Sequence, residues 1–436
     1  MTFRADRVRH YWDEILLRLW HDPRYLVRRL GNVARAVWAA RDRGGRTDRR
    51  PVVVFHAESA KHRVTNQAKA LRRSGRFRLV LLAWRFDYGE QAAVFDEVRF
   101  CWGVRHFRAL LRRLAARSEI HAVVCDAKPI AYAESLLDRP RRWPLLVSIY
   151  DSFWALAVLR GPEGYPWPHC QPEVEGERRV IPRCDGVIAR GGDFQEAMRE
   201  VGVEVPTLGR HDLCDRALFQ PIRRRPPPPD GAWSVVVAAQ VVPMRMPDDL
   251  YREAKVAAFG PAFRGERIHL HVYPGREIPF RCPVYEREVR ENPFFHLHRS
   301  LPPTRIHAEI ARYDFAFLAF PYGPKSHPDR FIRHILSLRV FTYLEAGLPL
   351  ICFEGQEAHA ALVRRYGCGI VLSSPGPAGL RAAIESHDLD RLREGVGRAR
   401  EALDTEACAG ALEAFLEEAR ARRARGAPDP EPAGRG

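Results

Sequence analysis

Apolar residues follow two alternating rhythms along this chain. Short runs that are apolar at every position alternate with stretches where apolar residues fall three or four apart. Pro51–Phe55 (PVVVF), Arg78–Trp84, His121–Cys125 (HAVVC), Leu145–Tyr150 (LLVSIY) and Gly186–Ala189 (GVIA) belong to the first kind. Apolar on both faces, they predict strands of a parallel sheet covered on both sides. Residues 62–73, with Val64, Ala68 and Leu71 inward, and residues 104–116 carry the helical spacing between them. The rhythm restarts at Ser234–Ala239 and continues through Arg267–Val272, Phe294–Leu297, Asp314–Ala319, Leu350–Phe353 and Gly369–Leu372. A helix is predicted over about 335–346, stopped by Gly347 and Pro349. Each series is one doubly wound α/β unit.

The boundary between the series is PIRRRPPPPDG at 221–231, where four consecutive prolines exclude both helix and central strand. The expected organisation is a basic helical extension (1–48), a first domain (49–220), the linker (221–231), a second domain (232–388), charged C-terminal helices (389–424) and a disordered tail (425–436). Within the extension, Val8, Tyr11, Trp12, Ile15, Leu16, Leu19 and Trp20 line one helical face. Ligands of doubly wound sheets bind beyond the carboxyl ends of the strands, so the cleft between the domains is the expected site.

Charge changes the picture at one end. The formal net charge is +16, and Arg supplies most of the Lys+Arg total of 70. Residues 1–50 hold 13 Arg against 6 Asp and Glu. Such an end suits a polyanion, and residues 1–43, with Trp12 and Trp20, suit an anionic membrane surface. Nucleic-acid binding is the weaker reading, because no nucleic-acid module is recognisable. The nine cysteines form no C-x-x-C pair and read as buried apolar residues in a reducing compartment. No apolar run approaches the ~20 residues of a membrane span, and the N-terminus has no apolar signal core, which predicts a cytoplasmic location.

Residues 314–372 are more specific. They read DFAFLAFPYG, then SLRVFTYLEAGLPLICFEG, then ALVRRYGCGIVL. This resembles the C-terminal domain of GT-B glycosyltransferases of the group 1, family 4-like type. CDGVIARGGDFQEAMREVG (184–202) and Asp212–Pro221 are looser matches to the same family. The resemblance implies two Rossmann-like domains facing across a cleft and a nucleotide-sugar donor held by the second. It implies transfer of a hexosyl group to a glycan or lipid-linked acceptor, as in cell-surface polysaccharide synthesis, with no metal or other cofactor. The donor diphosphate would sit at the N-terminus of the helix beginning near Leu336, where free N–H groups and the dipole favour anions. Two family glutamates are absent: Thr342 stands five residues before the helix-ending Gly347, and His334 stands eight residues earlier. These losses motivate the alternative of a catalytically inactive GT-B-like binding or scaffold protein.

Candidate donor ligands are Arg245, in AAQVVPMR, Arg339, Thr342 and Glu345, the last on nearly the same helix face as Thr342, together with Lys325 in FPYGPKSHPDR. Candidate general bases on the acceptor side are His56, Glu58 and His62, which follow the first strand, and Asp151, which ends another. Tyr150, Phe153 and Trp154 beside Asp151 suit either sugar stacking or core. His296, His298 and His307 lack the spacing of a metal site.

Overall fold

The computed structural model describes residues 48–58, 62–84, 89–161, 170–209, 213–223, 232–239, 256–275, 283–318, 329–334, 336–373, 376–405, 407 and 409–425. The N-terminal extension, most of the proline-rich linker and the tail lie outside them.

The first sheet has seven strands: β1 (Val52–Ala57), β2 (Arg78–Ala83), β3 (Glu97–Phe100), β4 (Ile120–Asp126), β5 (Leu145–Ile149), β6 (Gly186–Ala189) and β7 (Thr207–Gly209), in the order β3-β2-β1-β4-β5-β6-β7. The second has six: β8 (Ser234–Ala239), β9 (His269–Pro274), β10 (Phe295–Leu297), β11 (Phe315–Phe317), β12 (Leu350–Phe353) and β13 (Gly369–Leu372), in the order β10-β9-β8-β11-β12-β13. Every pairing is parallel. Both sheets reverse their strand order beside their first strand, at β1/β4 and β8/β11, which is where such sheets open a crevice.

The two faces of β1 show why its sequence is uniformly apolar. Val52 and Val54 pack into one core with Phe107, Leu111 and Leu114 of helix Val104–Ala115. Val53 and Phe55 pack into the other with Val64, Ala68 and Leu71 of helix His62–Arg73. The final helix, Ala409–Ala424, places Leu412, Phe415, Leu416 and Ala419 in that second core. The chain thus returns to the first domain after completing the second.

β3 and β7 were not legible in the sequence. β3 is the four-residue run EVRF, half-buried at one edge, and β7 is three residues at the other. Edge strands need no continuous apolar run, because part of their surface stays in water.

Helix Leu338–Glu345 is shorter than the expected 335–346. Ser337 caps its start, its hydroxyl accepting from the Arg339 N–H. Gly347, at φ +78°, ends it in a conformation that costs a Cβ-bearing residue about 1–2 kcal/mol. An added Cβ there would also meet Ile222 of the interdomain segment at 3.3 Å.

Candidate active site at the domain junction

Because the first sheet is parallel, the residues that follow its strands emerge along one rim. Glu58 follows β1, Asp126 ends β4, Tyr150 and Asp151 follow β5, and Arg190 follows β6. Arg63, early in helix His62–Arg73, brings its guanidinium 2.7 Å from Asp126 and 5.4 Å from the Tyr150 ring centroid. Arg190 is only 5% exposed. A guanidinium so far from water requires a partner, and it has Asp151 at 2.8 Å and the face of Tyr150 at 4.1 Å. Burial raises the Asp193 carboxyl above its usual range, an effect that the Arg190 charge partly offsets.

The second domain meets this rim with the start of helix Leu338–Glu345. The Leu338 N–H donates to the Tyr150 hydroxyl at 3.3 Å, across the domain junction. The Ser337 N–H donates to Nε2 of the buried His359 at 3.1 Å, which fixes the cap from inside the second domain. Farther along the helix the Tyr343 hydroxyl accepts from the Ala238 N–H near the end of β8. The helix start is therefore pinned between the end of one sheet and the rim of the other.

A second contact sits beside the first. Arg330 reaches Glu196 at 2.6 Å and Glu200 at 2.7 Å, and His334 lies 2.8 Å from Glu196. Arg330 foremost, with His334, holds the Glu196 carboxyl below its usual range. Gly191 makes this approach possible. A Cβ there would lie 3.0 Å from the His334 carbonyl oxygen and 2.9 Å from the Asp193 carboxylate.

Of the residues singled out in the sequence, Asp151, Glu58, Arg339 and Thr342 lie on the elements that meet here. Arg339 places its Nε 3.2 Å from the Ser337 hydroxyl, and Thr342 is half-buried one turn on. His62 is the first residue of its helix. Arg245 and Lys325 lie outside the described residues.

Two expectations are corrected. His56 does not face the cleft: it is 1% exposed, stacks on Tyr132 at 3.8 Å and meets Phe107 at 4.8 Å. β1 runs to Ala57, two residues past the expected end, so position 56 falls within a central strand. Burial pushes its imidazole down to about 3, too low for a base at neutral pH. Glu345 does not face the donor position either. It is 1% exposed and accepts from the Asp215 N–H at 2.8 Å. Seven residues from Leu338, it lies about 10 Å from the helix start, against the segment that joins the domains. Burial pushes its carboxyl up to about 8.

Arg190, Arg63, Asp126 and Ser337 were missed. For Arg190 and Asp126 the signal is a polar residue directly after an apolar strand run, as in GVIA-Arg190 and HAVVC-Asp126; for Ser337 it is a capping serine ahead of the helical spacing.

The architecture matches solved structures. The Anabaena HepE structure with UDP-glucose superposes with a TM-score of 0.54 at 13% identity, covering 84% of this chain and 99% of that one. Sucrose-phosphate synthase from Thermosynechococcus elongatus gives 0.59 at 12% identity, covering 85% and 100%. A Polygonum tinctorium UDP-glucosyltransferase gives 0.50 at 12%, covering 86% and 99%. This chain has the GT-B fold. The sequence matches no protein-family model and no curated protein.

In this GT-B chain the histidines of β9 pair with those on and just after β10, His269 with His296 at 2.9 Å and His271 with His298 at 3.0 Å. Among the described residues no group of three or more His, Cys, Asp or Glu side chains is placed to hold a metal ion. The seven described cysteines are free and buried. No described helix is long and apolar enough to cross a membrane.

Proposed function

We propose that this GT-B chain is a glycosyltransferase, taking a sugar from a nucleotide-sugar donor and passing it to an acceptor hydroxyl held by the first domain. One observation carries the reading: the capped N-terminus of helix Leu338–Glu345 points at the strand-end rim through the Leu338–Tyr150 hydrogen bond. The N–H groups of a helix start are a ready anion site, and a nucleoside diphosphate is the anion a donor would present. Arg339 adds a cation beside it. In transfer, the bond from the anomeric carbon to the diphosphate oxygen breaks as a bond to the acceptor oxygen forms. The helix start and Arg339 stabilise the leaving diphosphate. Asp151 and Glu58 are the rim carboxylates for the acceptor proton if the reaction inverts. Like the solved complex of HepE with UDP-glucose, the site would take a UDP-type donor.

The proposal extends to a hexosyl group, a glycan or lipid-linked acceptor and a metal-independent reaction. The test is thermal shift and donor hydrolysis against a panel of nucleoside diphosphates and nucleotide sugars. A ligand at ~100 times its dissociation constant stabilises the fold by about 2.7 kcal/mol. One base should stand out, and Ser337→Ala should reduce its shift. A flat panel with no hydrolysis would sink the reading.

A further inference from the structure

The segment Cys101–Ser118 carries Arg105, Arg108, Arg112, Arg113 and Arg117, and no Asp or Glu. Helix Val104–Ala115 forms most of it. Phe107, Leu110, Leu111 and Leu114 are buried in the first-domain core, so the opposite face is committed to the outside. Arg105, Arg112, Arg113 and Arg117 are exposed and Arg108 is half-buried. Several surface arginines elsewhere are ion-paired: Arg179 with Glu134, Arg183 with Asp138, Arg330 with Glu196, Arg364 with Glu354 and Arg420 with Glu119. Among the described residues none of the five on this segment makes an ion pair. Four like charges along about 18 Å of helix, with Arg117 in the turn that follows, repel one another and attract an external anionic surface.

Trp102 stands at the start of this helix, 79% exposed, with Phe100 against it at 4.1 Å. An indole left in water beside a row of arginines matches the chemistry of an interfacial helix, where the ring enters the headgroup region and the cations meet lipid phosphates.

We infer that Trp102 and the arginine face of helix Val104–Ala115 dock the chain on an anionic phospholipid surface. This goes beyond glycosyl transfer and does not depend on it. The placement has a consequence: Trp102 follows β3, on the same rim of the parallel sheet as Glu58, Asp126 and Asp151. Docking therefore brings the bilayer to the rim of the domain junction.

The experiment is co-sedimentation of the full chain with phosphatidylcholine vesicles, with and without phosphatidylglycerol. Wild type is compared with a triple variant, Arg105→Glu, Arg112→Glu and Arg113→Glu, and with a control triple of exposed second-domain arginines, Arg287→Glu, Arg299→Glu and Arg305→Glu. Wild type should bind only the anionic vesicles, with binding weakened by salt. The first triple should lose at least about fivefold in affinity per arginine replaced, because each substitution reverses the charge, whereas the control, with the same net charge, should stay within about threefold of wild type. Trp102→Ser should bind more weakly, and brominated lipid should quench the wild-type fluorescence that this variant lacks. That quenching arm decides the matter if the triple variant does not fold. Equal vesicle binding by the first triple and wild type would overturn the proposal, as would equal binding to neutral vesicles. Retention on duplex DNA without vesicle binding would overturn it in favour of a nucleic acid.

Discussion

The Tyr150 hydroxyl of the first domain occupies the N–H of Leu338, the first residue of helix Leu338–Glu345 in the second, at 3.3 Å. A donor phosphate needs that N–H, so in the proposed reaction Tyr150 holds the place of a phosphate oxygen. Tyr150→Phe keeps the ring under Arg190 and removes the competing oxygen, together with its hydrogen bond to Arg190. The expected result is a loss of about 1 kcal/mol of stability and a nucleoside diphosphate shift at least as large as in wild type. A smaller shift would show that the hydroxyl contacts the ligand rather than yielding to it. Thermal melts with and without ligand read both quantities.

Glu345 gives a pH dependence with a definite sign. Its carboxyl rises from 4.5 to about 8 on folding because burial disfavours the charge. The native state therefore holds a proton that the unfolded state releases between those values. Stability from this group is intact below pH 4.5 and falls as pH rises towards 8, by at most tenfold in the folding equilibrium per pH unit. Glu345→Gln keeps an oxygen for the Asp215 N–H and cannot ionise. Denaturant melts from pH 5 to 9 should show a shallower decline for this variant, and parallel curves would refute the assignment.

The two doubly wound units were legible because central strands must be apolar on both faces. Ser234–Ala239, Leu350–Phe353 and Gly369–Leu372 match their observed limits. What escaped was set by neighbours in space. Phe55 looks like the end of a strand, yet pairing with β2 carries β1 on to Ala57 and draws His56 inside. Glu345 shares a helix with the capped start, but its distance along the axis and the packing of residues 213–220 decide what it touches. Arg190 was visible as a charge after a buried strand, and only the fold shows that Tyr150 and Asp151 of the adjacent strand receive it.

Arg190 and Asp151 form a pair in which one partner is buried and the other keeps about a third of its side chain in water. Asp151→Asn removes the counter-charge in contact with the guanidinium and leaves only the Asp193 carboxyl near it. The expected cost is about 1–3 kcal/mol, below that of a fully buried pair because Asp151 is partly solvated. Adding Arg190→Met should recover part of it, and a double-mutant cycle measures the coupling. If Asp151 also accepts the acceptor proton, Asp151→Asn lowers kcat by 10²-fold or more while the donor shift persists. A kcat within a few-fold of wild type would confine Asp151 to holding Arg190.

His56 is a buried imidazole whose ring nitrogens have no hydrogen-bond partner. Its basicity drops from 6.5 to about 3 on folding, because burial disfavours the imidazolium. The unfolded chain therefore takes up a proton between those values that the native chain refuses, and stability falls as pH drops below 6.5. His56→Leu removes both the refused proton and the unpaired nitrogens while keeping an apolar group against Tyr132 and Phe107. The variant should be at least as stable as wild type at pH 7 and gain on it steadily towards pH 4. The proposed glycosyl transfer at pH 7 should stay within about threefold of wild type, since a group buried in the sheet cannot reach an acceptor hydroxyl. A 10²-fold loss of activity in a stable His56→Leu protein would mean that this strand opens to the cleft during turnover.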